Sequence, residues 1–82
     1  MLKSIKILLL EDEPNYTDVL TMGLEQAGFE CEIVEVATKI GFMDQLKGSS
    51  FDVIISDYTL PDINGMEAVQ IAVELVPYTP VV

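Results

Sequence analysis

Phe51-Asp52-Val53-Ile54-Ile55-Ser56-Asp57-Tyr58-Thr59-Leu60-Pro61-Asp62-Ile63-Asn64-Gly65-Met66-Glu67 is the stretch on which the fold turns. Phe51 to Ser56 is a short, mostly apolar run bounded by turn residues, which suits a strand buried on both faces of a parallel sheet. Asp57 stands at its carboxyl end. The residues after it, with Pro61, Asp62, Asn64 and Gly65, have the composition of a loop. From Met66 to Val76 good helix formers take over, and Met66, Val69, Ala72 and Val73 can share one face. Pro77 and Pro80 punctuate the exit, and Val81-Val82 begin a fourth strand.

Toward the amino terminus the same alternation repeats. Ile5 to Leu10 is a second strand-like apolar run, stopped by Glu11-Asp12-Glu13. Asp12 can cap the next segment, with Pro14 inside its start and Gly28 past its end. Tyr16, Val19, Leu20, Gly23, Leu24 and Ala27 recur there at helical spacing. Cys31 to Val36 mixes acids with apolar residues, as edge strands do. Thr38 to Lys47 carries Ile40, Met43 and Leu46 at helical spacing, is weakened by Gly41 and ends at Gly48. Strands and helices in this order predict one α/β domain over residues 1–82, about βαβαβαβ, with right-handed crossovers and a parallel sheet. In such sheets functional groups gather at the carboxyl ends of the strands. Glu11, Asp12 and Asp57 converge there if the first and third strands are neighbours.

The 82 residues carry 14 acids against four lysines, a formal charge of −10. That argues against nucleic acid and anionic membrane surfaces as direct partners of this segment. There is no histidine, which removes histidine-based catalysis and the usual histidine-containing metal sites. Cys31 is alone, so there is no disulfide framework. The apolar run near the start is too short for a signal peptide, and acids stand where a cleavage site belongs. A cytoplasmic location is the expectation.

Three carboxylates in one pocket repel one another unless a cation intervenes or some are protonated. Magnesium prefers hard oxygen ligands of this kind. With such a cation at hand, Asp57 can act as a nucleophile and form an acyl phosphate. The chain resembles the response-regulator receiver domains of two-component signalling. The resemblance rests on the acidic pair, the strand-ending Asp57, Pro61 four residues on and Gly65 four beyond that.

This resemblance implies a flavodoxin-like doubly wound sheet of order 2-1-3-4, incomplete because the sequence stops after the fourth strand. It implies that Asp57 is the phospho-acceptor and that a histidine kinase or phosphotransfer protein is the donor. It further implies that Asp12 binds Mg2+ directly, that Glu11 acts through a coordinated water and that the Thr59 carbonyl completes the shell. Pro61 and Gly65 shape the loop. The family continues to a Ser or Thr after the fourth strand and a Lys after the fifth. Lys3, Lys6, Lys39 and Lys47 do not match that Lys, so impaired phosphorylation is expected. Apolar faces left uncovered predict self-association into a homodimer.

Two other classes compete. Enzymes of the haloacid-dehalogenase type also use a strand-ending Asp with magnesium, but they need a second acid where Thr59 stands. A receiver-like fragment serving only as an interaction or assembly module is the stronger alternative. A dinucleotide-binding reading fails for want of a glycine-rich loop after the first strand.

Overall fold

The computed structural model describes residues 3–56, 60 and 63–82, the side chains of Lys3 and Pro14 excepted. Among these, the chain runs β1 (Lys3–Leu10), α1 (Pro14–Gln26), β2 (Phe29–Val36), α2 (Lys39–Gly48), β3 (Val53–Ser56) and α3 (Gly65–Leu75). The sheet order is β2-β1-β3 and both pairings are parallel. Leu10 aligns with Val36 on one side and Ser56 on the other. Beyond β3, Val81 forms an isolated parallel bridge with Ile54. Ile54 N–H donates to the Pro80 carbonyl at 2.9 Å, and Val82 N–H donates to that of Ile54 at 2.8 Å. Residues 80–82 therefore lie where the expected order 2-1-3-4 puts a fourth strand.

β1 is central, and its run from Ile7 to Leu10 is at most 1 % exposed. Its two faces serve different helices because strand side chains alternate. Leu8 and Leu10 join Ile54 from β3, Phe42 and Leu46 from α2, and Ala68 and Ala72 from α3 in one core. Ile7 and Leu9 point the other way. α1 packs on that second face, where the Thr17 hydroxyl donates to the Glu35 carboxylate of β2. Val34 and Val36 meanwhile face the main core. Each fully buried Leu or Ile stabilises the fold by about 1.5–3 kcal/mol, so the central strand anchors both layers. β2 keeps Glu30, Glu32 and Glu35 exposed, as expected of an edge.

The helices depart from the sequence reading in detail. Glu13, not Asp12, is the N-cap of α1, and its side chain makes no capping hydrogen bond. Past the Ala27 C-cap stands Gly28, whose φ of 92° is a backbone conformation open to glycine and strained for other residues. Thr38 caps α2 by accepting the Gly41 N–H at 3.1 Å. A Cβ on Gly41 would stand 3.0 Å from that hydroxyl oxygen, so the glycine that weakens the helix also clears its cap. α2 buries Phe42 and Leu46, while Ile40 is 74 % exposed. α3 buries Gly65, Ala68 and Ala72. Met66 and Val73, which the helical spacing groups with Ala72, face outward. Small residues take the inward positions on α3, where Ala68 and Ala72 join the core of Leu8, Leu10 and Ile54.

Candidate functional site

Parallel strands whose ends are aligned deliver their next residues to one edge of the sheet. Leu10 and Ser56 are partners at the ends of β1 and β3. Glu11 leaves the first and residue 57 leaves the second. Strands one and three are neighbours, which was the condition for the acids to converge.

Glu11 is half-buried at this edge. Its own N–H donates to the Val36 carbonyl at 3.0 Å, carrying the ladder one step past β1. Its carboxylate bends back, and Oε1 accepts the N–H groups of Asp12 and Glu13 at 3.1 Å each. An acid held by backbone donors at a helix start sits at the positive end of the helix dipole. Asp12 and Glu13 are exposed. Gly65 is the buried first residue of α3. The remaining expected site residues, Asp57, Thr59 and Pro61, lie outside the described residues, as do Tyr58 and Asp62.

Among the described residues no group of three or more metal-ligating side chains stands together. The donor chemistry nevertheless fits magnesium. Glu11 and Asp12 supply carboxylate oxygen at the strand end beside Ser56, and Asp57 is the next residue of the neighbouring strand's chain. One or two carboxylates, with waters and phosphate oxygens completing the shell, is the ordinary magnesium environment.

Two features were not singled out from the sequence. Asn64 is the N-cap of α3, and its Oδ1 accepts the Glu67 N–H at 2.9 Å. The Asn-x-x-Glu spacing signals such a cap. Lys39 of α2 pairs with Glu67 of α3 at 3.1 Å. No spacing rule reveals that pair, because it depends on how two helices pack.

Residues 7–82 match the family described as response regulator receiver domain. The transcriptional regulatory protein CusR of Escherichia coli is 36 % identical over 66 residues, 80 % of this chain and 28 % of its own length. The transcriptional regulatory protein TrcR of Mycobacterium tuberculosis is 32 % identical over 77 residues, 93 % of this chain and 29 % of its own. The chain thus spans under a third of these curated relatives. A solved structure, the receiver domain of the sensor histidine kinase PA1611 from Pseudomonas aeruginosa, superposes with a TM-score of 0.77 at 25 % identity. The match covers 95 % of this chain and 64 % of that one, which holds a magnesium ion in its active-site cleft.

Proposed function

Since the chain belongs to the response regulator receiver domain family, we propose that it is a phospho-acceptor whose Asp57 takes a phosphoryl group from the phosphohistidine of a histidine kinase or phosphotransfer protein. The observation that carries this is the Leu10–Ser56 register, which starts the Glu11-Asp12 turn and the Asp57 segment from adjacent strand ends. Asp12, Asp57 and the Thr59 carbonyl would hold magnesium, with Glu11 acting through a water. When bound, magnesium would offset the charge of the phosphoryl oxygens.

In the transfer, a carboxylate oxygen of Asp57 forms a bond to phosphorus as the phosphorus–nitrogen bond of the donor breaks. The departing imidazole keeps the electron pair of that bond. Glu11 is held by two backbone N–H groups and so keeps its orientation while charge arrives nearby. The protein is here the acceptor of the group and not a turnover enzyme. A cytoplasmic setting agrees with the lone Cys31, and no helix among the described residues is long and apolar enough to cross a membrane. The interaction-module reading keeps one specific observation in its favour, the exposed apolar face of α1.

Intact-mass spectrometry with a small acyl-phosphate donor tests the reading. All four lysines precede Asp57, so within these residues the acyl phosphate lacks a cationic partner after the nucleophile. We expect slow gain of a single phosphoryl group that needs magnesium and disappears in Asp57→Asn. Modification that persists in Asp57→Asn, or that ignores magnesium, would refute the assignment.

A further inference from the structure

Two stretches at the carboxyl edge of the sheet are fastened together by side chains for which the phospho-acceptor reading has no use. Lys39 is the first residue of α2, and Glu67 lies in the first turn of α3. Lys39 Nζ donates to Glu67 Oε2 at 3.1 Å, and both side chains are part-buried. The surroundings tie each partner to the rim of the candidate site. On the α2 side, Lys39 follows the cap residue Thr38 and lies three positions beyond Val36, whose carbonyl accepts the Glu11 N–H. On the α3 side, Glu67 N–H donates to Asn64 Oδ1. Asn64 to Glu67 is thus one capped turn, and there the chain leaves the segment that Ser56 opens. Bonded neighbours run from Glu11 through Val36 to Lys39, then across to Glu67 and Asn64.

The helix dipoles add a second observation. An acid in the first turn of α3 is favoured by that helix's positive end, whereas a lysine at the first position of α2 is disfavoured by its own. Local helix stability therefore does not account for Lys39, but a partner on the other helix does. We propose that Lys39 and Glu67 are a positioning pair for the magnesium site, an inference that rests on the metal reading above. By fastening the start of α2 to the first turn of α3, the pair holds the turn after Val36 and the turn at Asn64 in a fixed relation to each other. Magnesium demands near-ideal ligand distances. A rim held in advance also loses less freedom when the cation binds.

Calorimetric magnesium titration at low ionic strength tests this, with metal-free urea denaturation run alongside. Lys39→Met and Glu67→Gln should each weaken magnesium binding about two- to five-fold. The double variant should be no weaker than either single one, and Lys39→Arg should restore most of the affinity. Added salt should shrink the difference between wild type and variants. Unchanged affinity in both single variants, with wild-type binding still lost in Asp12→Asn, overturns the positioning pair and leaves the metal reading standing. Additive losses also overturn it, since they mark two side chains acting independently, and so do losses of affinity that only follow an equal loss of metal-free stability. A wild-type chain that binds no magnesium removes the metal reading and this inference together.

Discussion

Glu11 and Asp12 are neighbours in the chain yet meet different surroundings. Glu11 commits one carboxylate oxygen to the Asp12 and Glu13 N–H groups and is half-buried. Asp12 stands exposed at the same strand end. This suits Asp12 to direct ligation and Glu11 to an orienting role. If magnesium binds only the folded chain, thermal stability should climb with its concentration, by about 2.7 kcal/mol at a hundredfold excess over the dissociation constant. Circular dichroism melts should show the climb in wild type and lose it when Asp12→Asn and Asp57→Asn are combined. An unchanged magnesium shift in the double variant would remove both residues from the metal site. The acids were readable as candidates only in combination: an acid pair at a helix start also serves the helix dipole, and it was the register of Asp57 with Pro61 and Gly65 that gave Glu11-Asp12 a second meaning. The bent-back Glu11 carboxylate was not readable, since it depends on backbone N–H directions that only the β1–α1 turn sets.

At the scale of elements, the sequence located each helix and strand found among the described residues, but the sides that α2 and α3 bury differ from the apolar stripes it offered. Ile40, Met43 and Leu46 have good helical spacing, and so do Phe42 and Leu46. Periodicity cannot choose between two overlapping apolar stripes on one short helix. Packing chooses: Phe42 is fully buried beside Leu8, Leu10 and Ile54, while Ile40 is 74 % exposed. α3 repeats the lesson, since its alanines and Gly65 go inward and its larger Met66 and Val73 stay out. Phe42→Ala should therefore destabilise by about 3–5 kcal/mol. Ile40→Ala should stay within about 0.5 kcal/mol of wild type. Urea denaturation of the two variants decides it, and comparable losses would mean that α2 is rotated from the orientation described. The capping residues divide in the same way. Thr38 could be foreseen at the start of α2, but at α1 a well-placed Asp12 yields to Glu13, because the chain must first turn away from β1 with Glu11 holding its N–H groups.

The whole molecule is a three-layer arrangement whose two outer layers are unequally finished. On one face α2 and α3 pack together over a continuous core. On the other, α1 stands over Ile7 and Leu9 with much of its own apolar stripe in solvent: Tyr16 is 42 %, Met22 60 % and Val19 67 % exposed. Tyr16, Val19, Leu20, Gly23 and Leu24 line an open apolar groove of about 250 Å³ there. The helical spacing foretold the stripe, but the sheet covers only part of it. Pairing two copies about a two-fold axis would let each cover the other's groove. Full burial of a side chain such as Val or Met contributes roughly 1.5–3 kcal/mol. Six partly exposed side chains from two copies therefore compete on near-equal terms with an association cost of about 4–15 kcal/mol. Charge opposes the pairing. The chain carries −10, and α1 holds Asp18 and Glu25 with no basic residue. A homodimer formed this way should be weak at low ionic strength and tighten as salt screens the repulsion over about 10 Å. Sedimentation velocity across micromolar concentrations, at low and high salt, should show a monomer–dimer equilibrium that salt shifts toward dimer. Val19→Glu should return it to monomer by placing a charge in the groove. A chain that stays monomeric at every salt concentration, or a dimer indifferent to Val19→Glu, would show that α1 does not mediate self-association.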